Sequence, residues 1–289
     1  IFDPEVLVRN MVELGFSEQD EARWKSISAQ PHGIILVTGP TGSGKTTTLY
    51  STLKQLATPE VNVCTIEDPI EMVEPAFNQM QVHQAIDLGF AEGVRALMRQ
   101  DPDIIMVGEI RDLETTEMAI QAALTGHLVL STLHTNDAPS AITRLLDLGA
   151  PAYLLNATLL GIMAQRLVRI LCPHCKEAHP MTPEEEAIWD HLVRPWKAAR
   201  PAGVYRAVGC IECRMTGYMG RIGLYEILVM SPELRKVVSG EIDLARVRDL
   251  AVREGMKPLR LSGALKVAAG ITTLAEVVKV APPAEHEGR

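Results

Sequence analysis

Eight residues, Gly39–Thr46, combine three glycines with a lysine and a threonine in the order GPTGSGKT. This order fits the pattern G-x-x-x-x-G-K-[S/T], in which the glycines let backbone N–H groups turn toward phosphate oxygens. The apolar run Ile34–Val37 precedes the motif and a helical pattern begins at about Lys45, so a helix N-terminus adds partial positive charge at the same place. A glycine-rich turn without a ligand is the alternative, but the complete motif in this context favours a bound triphosphate.

Each residue of this loop has a predicted role. Lys45 is expected to reach the β and γ phosphates, and the Thr46 hydroxyl to bind Mg²⁺. The motif alone does not distinguish kinases, GTPases, helicases and motors. The predicted nucleotide-binding residues of the loop are Gly39, Pro40, Thr41, Gly42, Ser43, Gly44, Lys45, Thr46 and Thr47.

Three polar clusters follow apolar, strand-like runs: TIEDPIE (Thr65–Glu71), GEIRD (Gly108–Asp112) and STLHTND (Ser131–Asp137). Ligands of open α/β sheets bind beyond the carboxyl ends of the strands, so these clusters are expected beside the phosphate loop. Each cluster alone could be helix capping, but three of them together with the loop favour a site. In P-loop ATPases such a strand usually ends in an aspartate that holds magnesium, whereas this chain has Gly108 followed by Glu109.

Four of the five cysteines form two C-x₂-C pairs, CPHC (Cys172–Cys175) and CIEC (Cys210–Cys213), with 34 residues between them. Two such pairs are typical of a structural Zn²⁺ held by the four thiolates of Cys172, Cys175, Cys210 and Cys213. His174 and His179 lie close by as alternative ligands. Disulfides are disfavoured in a chain without a secretion signal. The fifth cysteine, Cys64, lies in an apolar run and is predicted to be in the core.

The segment from Cys172 to Cys213 does not look like a nucleic-acid module. It contains five basic and six acidic residues, a balance of −1, so it offers no basic surface to a phosphate backbone. Trp189, Trp196 and Tyr205 could form a small core or an exposed docking face, and we predict the core.

Apolar strand-like runs alternate with helical patterns through the first half of the chain, which predicts an α/β fold with a mostly parallel sheet covered on both faces. The predicted strands are Ile34–Val37, Val61–Ile66, Ile104–Val107 and Leu128–Leu133. The predicted helices are Phe2–Gly15, Glu18–Ser28, one from Lys45, Gly89–Gln100 and Leu113–Leu124.

The sequence pattern is different in the second half of the chain. The 14 residues Pro151–Ala164 are too short an apolar run to span a membrane and are predicted to be a buried helix. From Ser231 the pattern is helical, and the last residues, APPAEHEGR, are predicted to be a loose tail. We therefore predict three parts: residues 1–171 with the nucleotide site and a helical lead-in, residues 172–225 with the cysteines, and a helical subdomain with the tail at residues 226–289.

The composition is that of a soluble globular protein. Hydrophobic residues make up 47% of the 289 residues and charged residues 22%, with a net charge of −8, so neither a disordered chain nor a strongly basic nucleic-acid binder is indicated. No signal peptide is evident, which favours the cytoplasm. The chain begins with Ile1 rather than Met, so further domains are expected upstream.

Four motifs occur in a characteristic order: GPTGSGKTTT, TIEDPIE, RQDPDIIMVGEIRD and LTGHLVLSTLHTND. Together they closely resemble the secretion ATPase superfamily, in the branch of the type II secretion ATPases (general secretory pathway protein E) and the type IV pilus assembly ATPases. The resemblance extends from about Gly15 to Val280. It implies a RecA-like P-loop ATPase core with an inserted tetracysteine zinc module and a C-terminal helical subdomain.

The resemblance also implies residue roles. Residues Gly39–Thr47 match the Walker A loop of the family and Glu109 its Walker B glutamate. The family has Gly-Glu where other P-loop enzymes have Asp-Glu, so Mg²⁺ is expected on Thr46, helped by Glu109 or Glu67 through water. The acidic "Asp box" matches Glu67, Asp68 and Glu71, and the "His box" matches His127 and His134.

Attack of water on the γ-phosphate requires a nearby carboxylate to orient or deprotonate that water. We predict that Glu109 has this role, with Glu67 as the alternative and Lys45 as the third catalytic residue. Four further side chains could contact the nucleotide, although solvated arginines and core or capping histidines are the alternatives. They are Arg95, Arg99, His127 and His134.

The implied function is that of an ATP-hydrolysing motor on the cytoplasmic face of the inner membrane. The resemblance implies a homohexameric ring with ATP between subunits, acting on an inner-membrane platform or adaptor protein to assemble a pseudopilus or type IV pilus. The tetracysteine module favours assembly or secretion over retraction. Without the N-terminal region of the family, which offers arginines to the nucleotide, this stretch is expected to hydrolyse ATP weakly and to assemble poorly. A RecA-like DNA translocase and an ATP-binding regulatory switch are the alternatives.

Overall fold

The computed structural model describes residues 9–196 and 198–281. Within them, contacts group the chain into two compact units, one made of residues 9–164 and 227–256 and the other of residues 165–226 and 257–281, Lys197 apart. The division into three parts at residues 171 and 225 was based on changes in the sequence pattern, and it stays a prediction. No helix in the described ranges is long and apolar enough to cross a membrane.

The described strands form a seven-stranded sheet of order β3-β2-β4-β5-β1-β6-β9 and a two-stranded sheet, β7-β8. The pairs β1–β5, β1–β6, β2–β3, β2–β4 and β4–β5 are all parallel, which confirms the predicted sheet. The strands are β1 (Gly33–Thr38), β2 (Val63–Glu67), β3 (Asn78–Gln81), β4 (Ile104–Val107), β5 (Leu128–Leu133), β6 (Leu159–Leu171), β7 (Glu177–His179), β8 (Val204–Arg206) and β9 (Tyr218–Val229).

Helices connect these strands, and most lie where the periodicity predicts them. The bounds Glu18–Ser28 and Leu113–Leu124 agree with the prediction to the residue, and the Gly89–Gln100 prediction is longer than the observed helix. The helices are α1 (Met11–Leu14), α2 (Glu18–Ser28), α3 (Lys45–Leu56), α4 (Phe90–Leu97), α5 (Leu113–Leu124), α6 (Ala138–Asp147), α7 (Ala152–Thr158), α8 (Pro183–Val193), α9 (Pro232–Val237), α10 (Leu244–Arg253), α11 (Leu259–Ala268) and α12 (Leu274–Val280).

Two predictions fall partly outside the described residues. Of the predicted helix Phe2–Gly15, the structure shows α1, which begins after the cap residue Asn10 and ends at Gly15, where φ is 96°. Residues 1–8 lie outside the description. The predicted tail lies outside it as well, apart from Ala281.

The central strands carry the core of the first unit. Every residue of β1, β2, β4 and β5 is buried, because helices cover both faces of the sheet. Polar side chains in these strands bond to the backbone of their neighbours. The Ser131 hydroxyl donates to Val107 O at 2.7 Å and the Thr132 hydroxyl to Gly108 O at 2.7 Å, so the carboxyl ends of β4 and β5 are tied together.

The prediction of a buried helix over Pro151–Ala164 is wrong in its second half. Helix α7 ends at Thr158, and β6 begins at the next residue. A strand that is buried on both faces shows no alternation, so a short apolar run has the same appearance in a helix and in such a strand. Gly161 marks the strand: a Cβ there would lie 2.8 Å from both Ile27 Cδ1 and Leu228 O.

The second unit has a small core of its own. Trp189 of α8 is 1% exposed and packs with apolar residues of β8, α11 and α12, which confirms its predicted place in the core. Trp196 packs against the same cluster and is partly buried.

An ion pair in this unit predicts acid sensitivity. The Glu276 carboxylate, on a side chain 8% exposed, accepts from Arg169 at 2.7 Å and lies 2.9 Å from Lys279 Nζ. The bond from Arg169 outweighs burial and lowers the pKa of Glu276 from its usual 4.5 to about 2. Because the folded pKa is depressed, the pair stabilises the fold fully above about pH 4.5, and this stabilisation is lost as the pH falls toward 2.

Replacing Glu276 by glutamine should therefore lower the free energy of unfolding by about 1–2 kcal/mol at pH 7, after allowance for the solvent exposure of Arg169. The difference from the parent should shrink between pH 4.5 and pH 3 in thermal melts. Glu177→Gln is the matched control, because Glu177 pairs with Arg206 at 2.7 Å while both side chains are more than half exposed. A deficit that stays constant with pH would show that Glu276 acts through packing alone.

Candidate nucleotide site and cysteine cluster

The loop between β1 and α3 has the geometry that phosphate binding requires. Gly42 and Gly44 have φ values of 78° and 86°, a region that favours glycine, and no atom lies within 4 Å of a Cβ built on Gly42. Lys45 begins α3, and its Nζ donates to Gly39 O at 2.8 Å and to Pro40 O at 3.0 Å. The lysine is only 8% exposed, so its ammonium group lies within the curve of the loop.

One side chain of this loop supplies a direct test of fit. The Ser43 hydroxyl is buried and has no hydrogen-bond partner among the residues that the structure describes. A buried polar group without a partner costs free energy, so this hydroxyl is available to bond with a ligand at the loop. An unpaired hydroxyl, a lysine and a helix N-terminus at one place together fit phosphate oxygens.

The Thr46 hydroxyl faces an acidic side chain. Its Oγ1 lies 3.4 Å from Glu71 Oε1, and Glu71 is exposed. A hydroxyl and a carboxylate oxygen are the kinds of donor that Mg²⁺ takes beside phosphate and water. The position of Thr46 thus fits its predicted role as a Mg²⁺ ligand, and the Glu71 carboxylate lies beside its hydroxyl.

Glu109 lies in a cluster at the carboxyl ends of β4 and β5. Its Oε1 accepts a bond from Arg111, and its Oε2 lies 3.4 Å from Nε2 of His134. Burial alone would raise the pKa of the Glu109 carboxyl, but the bond and charge of Arg111 and the charge of His134 outweigh it and lower the pKa below its usual range. The side chain is still 16% exposed, so water can reach an ionised carboxylate.

The glycine before Glu109 has a steric reason. A Cβ on Gly108 would lie 3.2 Å from Phe90 Cε1 and 3.3 Å from Ile66 O, and Gly108 N donates to that same carbonyl at 2.8 Å. An aspartate at this position would press against the end of β2. The carboxylate at this strand end is instead that of Glu109, which lies beside His134 at the end of β5.

Glu67, the alternative water-activating residue, is held by protein donors. It is 4% exposed and accepts from the Tyr50 hydroxyl at 2.6 Å, the Thr65 hydroxyl at 2.6 Å and Gln79 Nε2 at 3.2 Å. Its oxygens are thus engaged inside the unit, beneath α3. Of the two candidate carboxylates, Glu109 is the one with access to solvent.

His127, the other predicted histidine contact, lies at the amino ends of the strands, opposite the phosphate loop. His127 precedes β5, and its Nδ1 is 2.8 Å from Ala122 O and 3.1 Å from Thr125 Oγ1. Since β5 is six residues long, roughly 20 Å separate the two ends of the strand. The structure therefore brings His134, but not His127, to the edge where the phosphate loop of the same chain lies.

The two arginines are surface residues of this chain. Arg95 lies 3.7 Å from Glu114 and 4.0 Å from Glu92, with its side chain 47% exposed. Arg99 is exposed and follows α4, before the amino end of β4. A contact of either residue with phosphate or with a neighbouring subunit stays a prediction.

Sequence reasoning missed Arg111, Tyr50 and Gln79. Arg111 stands in the quoted GEIRD motif, so its closeness to Glu109 could have been a hypothesis. Tyr50 is four residues after Thr46 and hence on the same face of a helix, which is a weak signal. Gln79 is brought to the site only by the pairing of β3 with β2.

The four paired cysteines come together in the second unit. All their sulfurs lie within 4.8 Å of one another, and all five cysteines of the chain are free. The distances Cys172–Cys210 and Cys175–Cys213 are 3.8 Å, and Cys210–Cys213 is 3.7 Å. A tetrahedron with metal–sulfur bonds of 2.3 Å has edges of about 3.8 Å, so this donor set fits Zn²⁺. Cys64 is buried in β2, as predicted.

Backbone N–H groups donate to two of the four sulfurs. Cys213 Sγ accepts from Cys210 N at 3.1 Å and from Gly217 N at 3.2 Å, and Cys175 Sγ accepts from Gly209 N at 3.3 Å. Burial opposes ionisation, but the N–H groups of Cys210 and Gly217 and the neighbouring sulfurs lower the pKa of Cys213 to about 6. Burial and the neighbouring sulfurs raise the pKa of Cys175 to about 12, so in the absence of a metal the negative charge is placed on Cys213. The thiolate is the form that binds a metal.

Proteins of similar sequence include pilus assembly and secretion ATPases. The type IV pilus assembly ATPase TfpB of Acinetobacter baylyi is 62% identical over 282 residues, which cover 98% of this chain and 48% of that protein. The type II secretion system ATPase E of Vibrio cholerae is 46% identical over 267 residues, 92% of this chain and 52% of that protein. The chain spans about half the length of these curated relatives.

Solved structures share the fold. The pilus retraction motor PilT with bound ADP has a TM-score of 0.69 at 28% identity, over 95% of this chain and 67% of that chain. The Legionella pneumophila ATPase DotB has a TM-score of 0.67 at 26% identity, over 94% of this chain and 65% of that chain. The family model described as "Type II/IV secretion system protein" matches residues 1–279. The chain therefore belongs to the type II/IV secretion system protein family.

Proposed function

We propose that this chain is the ATP-hydrolysing core of a motor for type IV pilus or pseudopilus assembly. The observation that carries the proposal is the phosphate loop closed around Lys45, with Glu109 at a nearby strand end. In the sheet, β5 alone separates β1 from β4, which corresponds to a lateral distance of about 10 Å. This gap leaves room for a γ-phosphate and an attacking water.

In this proposal, backbone N–H groups of residues 41–47 and the Ser43 hydroxyl bind phosphate oxygens, and Lys45 exchanges its carbonyl partners for the β and γ phosphates. Glu109 accepts a proton from the attacking water or orients it, since its pKa lies below the usual range and it is ionised near neutral pH. His134 and Arg111 orient the Glu109 carboxylate. Mg²⁺ would be held by Thr46, with Glu71 nearby, and would neutralise developing phosphate charge.

The cysteine cluster is proposed to hold one structural Zn²⁺. Four thiolates complete a tetrahedron, so no ligand position stays open for catalysis. Histidines are not needed to complete the set, because the four sulfurs already form it.

The larger assembly is a further part of the proposal. A homohexameric ring would bring Arg99 and His127 of one subunit toward the nucleotide of another, which accounts for their place away from the phosphate loop of their own chain. The partners would be an inner-membrane platform or adaptor protein, with the chain on the cytoplasmic side. The named relatives, a pilus assembly ATPase and a secretion system ATPase, support only the general role in such a machine.

The test is replacement of Lys45 by alanine. Loss of the ammonium group should weaken binding of a fluorescent ATP analogue by at least about 100-fold, in line with about 3 kcal/mol for a lost charge-assisted contact. Lys25→Ala is the control, because Lys25 lies on α2 with its side chain 61% exposed. Equal affinity in the two variants would contradict the proposal. Turnover that rises with added single-stranded DNA would instead support a translocase.

A further inference from the structure

One face of α3 runs along the acidic loop, which we define as residues 68–77 between β2 and β3. Thr46, Tyr50 and Lys54 are spaced four residues apart and so share that face. Thr46 Oγ1 lies 3.4 Å from Glu71 Oε1 at one end, and Lys54 Nζ lies 2.5 Å from Glu74 Oε1 at the other. The helix that begins at the phosphate loop thus contacts the acidic loop over two turns.

Tyr50 fixes the middle of this contact. It is 1% exposed, its ring lies 5.7 Å from that of Phe77, and its hydroxyl donates to Glu67 Oε2 at 2.6 Å. Burial, followed by the bond and charge of Glu67, raises the pKa of Tyr50 far above its usual value, so the hydroxyl keeps its proton. The same oxygen lies 3.1 Å from Met72 O, next to Glu71 in the loop.

Gln79 holds the loop from the other side. From β3, its Nε2 lies 2.9 Å from Met72 O, 3.0 Å from Tyr50 Oη and 3.2 Å from Glu67 Oε1. Its Oε1 accepts from Glu74 N at 2.7 Å. The backbone on the carboxyl side of Glu71 is therefore bonded to side chains of α3 and β3, while the Glu71 carboxylate itself stays exposed.

We propose that Tyr50 and Gln79 are positioning residues that hold the Glu71 carboxylate opposite Thr46 for the metal–nucleotide complex, with Glu67 as their buried acceptor. This inference rests on the proposed function. An exposed acidic loop without such bonds would have to be ordered when the metal binds, at a cost in conformational entropy. Partners behind a metal-binding side chain commonly change metal affinity by about 10–100-fold when they are removed.

The test compares Tyr50→Phe with Trp24→Phe. Trp24 is also 1% exposed and donates to Thr52 Oγ1 of the same helix at 2.9 Å. Thr52 is not part of the face formed by Thr46, Tyr50 and Lys54, so each variant removes one buried donor at α3 but only the first touches the acidic loop. Binding of a fluorescent ATP analogue is titrated with Mg²⁺, and separately measured in EDTA.

For Tyr50→Phe, the half-saturating Mg²⁺ concentration should rise by about tenfold, while affinity in EDTA stays within about twofold of the parent. Trp24→Phe should change neither the half-saturating Mg²⁺ concentration nor the affinity in EDTA, even if the two variants lower the melting temperature by the same amount. Equal shifts in the two variants, or none in Tyr50→Phe, would overturn the inference. If Tyr50→Phe does not fold, Gln79→Met on β3 decides by the same criteria. A parent protein that binds no nucleotide would refute the proposed function instead.

Discussion

Replacing Glu109 by glutamine should lower kcat for ATP hydrolysis by about 10²–10⁴-fold, the range that a positioned general base contributes. Glutamine keeps the shape of the side chain but cannot accept a proton from water. Affinity for ATP with Mg²⁺ should stay within about twofold, because Lys45 and the loop backbone carry the phosphate contacts. Single-turnover hydrolysis and binding of a fluorescent analogue measure the two quantities separately.

Glu114→Gln is the matched control for Glu109→Gln. Glu114 follows the same strand end, has a side chain 61% exposed and pairs only loosely with Arg95, so its loss should leave turnover unchanged. If Glu109→Gln hydrolyses ATP at the parental rate, the assignment of the water-activating carboxylate is wrong. In that case Glu67→Gln would become the variant to measure.

Replacing Cys210 by serine should abolish binding of one zinc per chain and unfold the second unit. Structural zinc in small peptides contributes an apparent free energy of about 10–16 kcal/mol, so its loss removes about as much free energy as the whole 5–15 kcal/mol stability of an ordinary domain. Zinc content by atomic absorption and near-ultraviolet circular dichroism of the tryptophans of this unit report the two effects. Dialysis of the parent protein against a strong chelator should give the same spectrum.

Cys64→Ala serves as the matched control for Cys210→Ser. Cys64 is a buried thiol in β2, outside the cluster, so its replacement should leave one zinc per chain. A Cys210→Ser protein that keeps its zinc would mean that another side chain takes the fourth position. A zinc-free but fully folded variant would contradict a structural role for the metal.

The sheet could be predicted because its strands are short, apolar and separated by clear helical patterns. Ile104–Val107 and Leu128–Leu133 were predicted to the residue. The prediction failed at β6, where the choice between helix and strand depends on partners far along the chain, and it missed β3, β7, β8 and β9. Gly161 is a glycine because Ile27 and the Leu228 carbonyl approach it, and a local pattern contains neither of them.

The site was predictable to the extent that its chemistry is local in sequence. The phosphate loop is a contiguous motif, so Lys45 and Ser43 could be named from spacing alone. The sequence analysis favoured Glu109 and kept Glu67 as the alternative, since both are carboxylates at the ends of predicted strands. Burial separates them, because three donors surround Glu67 while Glu109 keeps access to water, and that difference arises only from tertiary packing.

The Ser131 and Thr132 hydroxyls donate to the carbonyls of Val107 and Gly108, and so they fix the backbone immediately before Glu109. Glu109 and His134 each follow their strand by one or two residues, so both are carried by backbone that is cross-linked on the inside of the sheet rather than by free loops. Catalytic groups need placement to within about 0.5 Å, and rigid elements provide this better than loops do. In the proposed ATP-hydrolysing core, the Glu109–His134 pair can therefore keep its spacing independently of the surrounding loops.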